Sequence, residues 1–209
     1  MHPQSHIGVV ASVQVGRAAP LGPDGVLSGF VKHAVKGSVQ VTATGIVGDE
    51  QADLSVHGGP EKAVYAYAES RYDQWQAAFP RHAALLVPGG LGENLTIAGC
   101  DETLVCLDDI VRIGTCLLQV SQPRQPCFKF ALRFDDPGMP RAMVKNGFCG
   151  WYYRVLQPGQ LAAGDTLSLD ERPLPQWPID RVNRKIVQHH GSPDEKREFA
   201  NLRRGIRAD

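Results

Sequence analysis

Apolar and polar positions alternate along CLLQV, residues 116–120. Cys116, Leu118 and Val120 fall on one face and Leu117 and Gln119 on the other, which is the period of a half-buried strand. The same reading fits IGVVASVQVG at 7–16, a run too short and too interrupted to span a bilayer. At 105–120, VCLDDIVRIGTCLLQV holds apolar strand-like runs broken by Asp108-Asp109 and by Gly114. GDTLSLDERP at 164–173 reads as a turn followed by a strand, and Gly48-Asp49 repeats that turn chemistry. Short strands with turn residues between them predict a barrel or a sandwich.

Helical spacing is rarer. In ESRYDQWQAAF, residues 69–79, Tyr72, Trp75 and Phe79 recur at the helical period. PRAMVKNG at 140–147 predicts a short helix ending at Gly147, a residue suited to the left-handed cap. After Pro173 the composition changes. LPQWP at 174–178 reads as a linker, and Ile179, Val182, Ile186 and Val187 then share one helical face. In SPDEKREFANLRRG, Ser192 is placed to cap a helix, Pro193 occupies its first position and Glu195 closes a capping box. Phe199 and Leu202 give that helix an apolar face. Two short helices cannot enclose a core of their own, so they are expected to pack on the main domain or on another subunit.

Composition adds limits. The 209 residues are 43% hydrophobic and 21% charged, as in a folded soluble chain. The 22 Lys and Arg balance the 22 Asp and Glu, so bulk charge points to neither a nucleic acid nor an anionic membrane. Five cysteines, an odd number with no CxxC pair, argue against a disulfide framework and a structural zinc site. No Lys or Arg precedes the first apolar run, so it is not read as a secretory signal, and a reducing cytoplasm is the expected compartment.

Five stretches carry candidate chemistry. In VSQPRQPCFKF, residues 120–130, Cys127 lies between Arg124 and Lys129 and follows Pro123 and Pro126. Nearby cations lower a thiol pKa and favour the reactive thiolate, and prolines restrict the local backbone. The competing reading is a small buried hydrophobe. In VHGGPEKAVYAY, residues 56–67, His57 precedes two glycines, whose backbone can approach a ligand closely, and Lys62 adds charge. GxxxxGK[ST] is absent, so this is no P-loop. In GGLGENLTIAG at 89–99, Asn94 is offered for a ligand hydrogen bond against a plain glycine-rich turn. GDEQAD at 48–53 is dense in carboxylates suited to acid–base work, or else a solvated turn. Lys32, in SGFVKHAV, has an apolar neighbourhood from which it could project off a strand, or is simply exposed.

In order along the chain, GDEQAD, VHGGPEKAVYAY, GENLT, VRIG, LLQVSQPRQPC, GWYYRVL and the Gly-Asp turn before the last strand resemble the MOSC family, named for the C-terminal domain of molybdenum-cofactor sulfurase, and within it the YiiM-like branch. The resemblance spans roughly residues 30 to 172 and implies a mainly β fold. The expected architecture is a MOSC-type β-barrel over 1–172 with a few flanking helices, then a short helical extension over 173–209. That extension resembles a shortened form of the branch's three-helix tail.

The resemblance further implies the molybdenum cofactor, a molybdopterin whose metal is bound by Cys127. His57 and Lys62 match cofactor-facing positions. Relatives often carry arginine where this chain has Lys62, which keeps the charge but loses the bidentate fork. Lys32, Asn94, Ser121 and Arg124 match further pocket positions. The implied activity is reduction of small N-hydroxylated compounds such as hydroxylaminopurines or amidoximes, with a partner reductase supplying electrons. A homodimer is left open, and no nucleic acid or membrane partner is implied. Two other classes stay open. One is a non-catalytic carrier of the cofactor or of sulfur, the context in which the family bears a pyridoxal phosphate label. The other is a Cys–His hydrolase with Cys127 and His57 in hydrogen-bond reach.

Overall fold

The structure is a computed structural model and describes residues 5–54 and 57–206. Seven strands close into a barrel: β1 (Ser5–Val15), β2 (Val64–Ala68), β3 (Leu95–Ala98), β4 (Ile110–Ile113), β5 (Cys116–Pro123), β6 (Trp151–Gln157) and β7 (Thr166–Glu171). Their order around the ring is β1–β3–β2–β6–β5–β4–β7, and β7 pairs back with β1. A ring of antiparallel strands closes only with an even number, so seven strands require a parallel neighbour pair, which is β2–β3. A parallel pair needs a long crossover. Residues 69–94 supply it, through helix α1 (Arg71–Ala78) and the glycine-rich turn before β3.

The predicted alternation in β5 holds. Cys116, Leu118 and Val120 are fully buried, while Leu117 and Gln119 are half-buried. A bulge between Val120 and Gln122 then shifts the register against β6 and turns Ser121 inward as well. The run before Asp108 forms no strand, and Cys106 makes only a single bridge to Pro178. In α1, Tyr72 and Trp75 are buried as the period required, and Phe79 ends the helix against the Trp75 ring. Helix α3 (Gly138–Asn146) ends at Gly147 with φ 74°, the left-handed cap expected there. The sequence reading passed over α2 (Phe128–Phe134), because FKFALRF is too short to show a clear period.

The segment 174–178 is not a free linker. Trp177 is fully buried with Leu107, Leu174 and Val182, and Phe199 packs on its ring at 5.0 Å. Two prolines flank a tryptophan whose burial is worth several kcal/mol, so the segment anchors the tail on the barrel. The next apolar stretch winds as a short α4 (Ile179–Val182) that loosens into a π-turn at Asn183–Val187 rather than one regular helix. Helix α5 (Pro193–Ile206) opens with the predicted box: the Ser192 N–H donates to Glu195 Oε2 at 2.9 Å and the Glu195 N–H to Ser192 Oγ at 3.2 Å. The side chain of Leu202 lies outside the described residues. Among the described residues no helix is long and apolar enough to cross a membrane.

Candidate functional site at one mouth of the barrel

The strand registers align one row of residues across five strands. Pro123 of β5 faces Trp151 of β6, Trp151 faces Ala66 of β2, Ala66 faces Leu95 of β3, and Leu95 faces Val13 of β1. The loops that leave β5 and β1 and those that enter β3 and β6 start at or within two residues of this row. A pocket opens there, lined among others by Lys32, Asp49, His57, Lys62, Asn94, Arg124, Cys127, Lys129 and Tyr152. Of the seven residues predicted for the site, six line it, and Ser121 does not.

Cys127 sits at the N-cap position of α2 in extended backbone, half-buried, and lines the pocket. The other four cysteines are buried. Burial pushes the Cys100 thiol up to about 12 and those of Cys106 and Cys116 to about 11, and raises Cys149 as well. They are packed thiols, as the sequence reading expected for Cys116.

Arg124 is 5% exposed. Its guanidinium lies 4.9 Å from the Tyr65 ring centroid, 5.4 Å from Phe30 and 5.9 Å from Phe130. Nη1 donates to Met143 Sδ at 3.7 Å and the group hydrogen-bonds Tyr152. Burial opposes its charge, while Tyr65, Tyr152 and Cys127 favour it. Lys129, on the first turn of α2, is 8% exposed and also faces the pocket. Among the described residues no carboxylate forms an ion pair with either cation. Burial first, then Lys129, Arg124 and Lys62, lower the pKa of His57, so at neutral pH its ring is uncharged and offers one donor and one acceptor.

The turn that carries His57 needs its glycines. Gly58 and Gly59 have φ of 76° and 79°, and a side chain on Gly58 would meet Gln51 Oε1 at 2.9 Å. The following 3₁₀ turn, Pro60–Lys62, is braced by Ser121, whose hydroxyl donates to the Glu61 carbonyl at 2.6 Å. Ser121 is thus a brace behind the pocket, because the β5 bulge turns it toward Glu61 and Tyr152 backbone rather than into the cavity.

Asn94 lines the pocket but its amide is engaged: Oδ1 accepts from the Tyr65 N–H at 3.1 Å and Nδ2 donates to the Gln14 carbonyl at 3.3 Å. It ties β2 to β1. Its neighbour Glu93 is fully buried and accepts from Tyr72, from the Gly89 and Leu91 N–H groups at 2.7 and 3.2 Å, and from Thr96 at 2.9 Å. That carboxylate fixes the glycine-rich turn, a role the sequence reading did not assign.

Lys32 is neither exposed nor free. It is ion-paired with Asp49, and the two side chains are 6% and 2% exposed. Asp49 also accepts from the Gly16 N–H at 2.8 Å and from Gln51 Nε2 at 3.3 Å. GDEQAD is therefore solvated only in part. Three donors, from Lys32, Gly16 and Gln51, draw Asp49 inward, while Glu50 stays half exposed and caps the Ala18 N–H at 2.9 Å. Sequence reasoning missed Tyr152, Tyr65 and Phe30, which read as core aromatics and enter the pocket wall through Arg124. Lys129 had been noticed only as a neighbour of Cys127.

The model of the MOSC domain matches residues 53–168. Protein YiiM of Escherichia coli is 41% identical over 72% of this chain and 67% of its own length. A protein of Gibberella moniliformis called Reductase is 41% identical over 86% of this chain, which spans only 32% of that relative. The crystal structure of YiiM from Geobacillus stearothermophilus superposes with a TM-score of 0.77 at 31% identity, covering 92% of this chain and 90% of that one. The family match covers both the His57 turn and the Cys127 loop, and the barrel that joins them is shared with the YiiM structures: the chain belongs to the MOSC domain family.

Proposed function

We propose that the pocket holds the molybdenum cofactor, with Cys127 as the protein's ligand to the metal, and that the protein reduces small N-hydroxylated compounds. The observation that carries this reading is the half-buried Cys127 thiol in a cavity where Arg124 and Lys129 are buried without a carboxylate partner among the described residues. Buried cations of that kind favour an anion, and the cofactor brings a phosphate. The donor set fits too. Among the described residues no three His, Cys, Asp or Glu side chains gather to hold a bare ion, so a metal at Cys127 must bring its other ligands with it, as a dithiolene-bound metal does. A soft thiolate suits that metal.

When bound, the cofactor supplies two-electron removal of an oxygen atom. The protein's residues do the holding. Arg124 and Lys129 neutralise the anionic end, and Lys62 adds charge at the His57 turn. His57, uncharged, donates from one ring nitrogen and accepts at the other. Tyr65, Phe30 and Phe130 keep the guanidinium fixed and dry. Lys32 lines the same pocket with its charge largely neutralised by Asp49.

The test is Cys127→Ser produced in a host that makes the cofactor. The expected result is an unchanged melting temperature with loss of bound molybdenum and of N-hydroxyl reduction driven by an artificial electron donor. Full molybdenum content with full turnover would remove Cys127 from the metal. A wild-type protein that binds the cofactor, passes it to an acceptor and shows no turnover with that donor is a carrier instead.

A further inference from the structure

Reduction of an N-hydroxyl group balances as R–NH–OH + 2 e⁻ + 2 H⁺ → R–NH₂ + H₂O. Both electrons come from outside. A donor that approaches from another side of the Cys127 loop leaves the mouth of the pocket free for substrate. The structure has a surface there. Pro126, Pro140 and Val144 form an apolar hollow between that loop and α3, rimmed by Arg141 and Lys145. Its lining includes no carboxylate. Val144 is 43% exposed, and Phe128, the residue after Cys127, is 63% exposed, second only to Leu54 among the large hydrophobic side chains described.

Resting on the reading above, we infer that this face is the docking surface for the acidic side of a small electron-carrier protein. Pro126 lies in its floor and Cys127 lines the active pocket. Consecutive Cα atoms are about 3.8 Å apart, so a carrier seated here touches the residue next to the proposed metal ligand without entering the substrate mouth. The loop is held by the tail, where Gln125 Nε2 donates to Asn183 Oδ1 at 3.0 Å, and the tail also reaches α3, where Gln188 Nε2 donates to the Val144 carbonyl at 2.6 Å. An apolar centre within a cationic rim is the form of a short-lived encounter surface, where opposite charge raises the association rate.

The experiment uses cofactor-loaded full-length protein, an acidic [2Fe–2S] ferredoxin kept reduced by its reductase, and reduced viologen as a small donor. In Arg141→Glu/Lys145→Glu the ferredoxin-driven kcat/KM is expected to fall about tenfold or more and to lose its salt dependence. The viologen-driven rate stays at the wild-type value, and calorimetric binding of the ferredoxin weakens in parallel. Equal ferredoxin-driven rates and equal binding in wild type and variant would overturn the assignment, and so would an equal fall with both donors. A wild-type dimer that the substitutions dissociate would give this face to a second copy instead. Absence of turnover with viologen in loaded wild-type protein would strike the reductase reading itself.

Discussion

Arg124→Met tests whether the pocket was built for a ligand at the expense of the empty protein's stability. Removing a guanidinium from water carries an effective penalty of several kcal/mol. Against it stand a ring contact with Tyr65 at 4.9 Å, worth about 2 kcal/mol for a desolvated cation, two weaker ones near the limit of about 6 Å, Phe30 at 5.4 Å and Phe130 at 5.9 Å, worth about 0.5 kcal/mol each, and a hydrogen bond to Tyr152 worth about 1.5 kcal/mol for a charged donor. With no carboxylate partner among the described residues, the contacts fall short by about 1–2 kcal/mol. Methionine keeps the stem and fills the space between Phe30, Tyr65 and Phe130. Ligand-free Arg124→Met should then be more stable, melting about 2–8 °C higher for a chain of this length. The wild type should gain in turn from an anion: inorganic phosphate at a hundred times its Kd adds about 2.7 kcal/mol, and the variant should gain nothing. Scanning calorimetry with and without phosphate reads both arms. A ligand-free variant that melts lower, or one that keeps the phosphate shift, would refute the reasoning and make Arg124 a structural residue.

Iodoacetamide at neutral pH should place one adduct per folded chain, on Cys127, since burial holds Cys100, Cys106 and Cys116 at about 11–12. Peptide mass spectrometry with adducts spread over several cysteines would contradict the assignment of the other four as packed thiols. Asp136, which accepts from Arg81, His82 and the Gly138 N–H at the start of α3, is held down to about 2. Its folded pKa is below the unfolded value of about 3.9, so its contribution is present above about pH 4 and is lost as pH falls toward 2. Asp136→Asn should lower the melting temperature at neutral pH and flatten its decline between those limits, a comparison that circular dichroism can make directly.

The parts of this fold that were legible in the sequence are those with a local cause. The alternation of β5, the period of α1, the Gly147 cap and the Ser192–Glu195 box each rest on neighbours a few residues apart. The misreadings come from distant partners. LPQWP looks like a linker until Leu107 and Phe199 close over Trp177. Asp49 looks solvated until Lys32, Gly16 and Gln51 converge on it. Ser121 matched a pocket position, but a one-residue bulge set its direction, and a bulge has no mark in VSQP. The site divides in the same way. Cys127 and His57 stood out because prolines and glycines mark their turns. Tyr152 and Phe30 did not, since their part in the pocket exists only through a guanidinium supplied by another loop.

The zero net charge of the chain hides how unevenly that charge is used at the mouth. On one wall Asp49 is satisfied three times over by Lys32, the Gly16 N–H and Gln51, so the ion pair leaves little field behind. Elsewhere in the lining Arg124 and Lys129 are buried without an acid among the described residues, and after burial itself they lower the pKa of His57. A low-dielectric wall strengthens such a field. A balanced bulk charge is then compatible with an anion-seeking cavity that has a single thiol in its lining, the arrangement that the proposed metal-bearing anion would use. Bulk charge gives no support for a polyanionic partner of the surface; it says nothing about this pocket, whose selectivity lies in the acids missing beside Arg124 and Lys129 among the described residues.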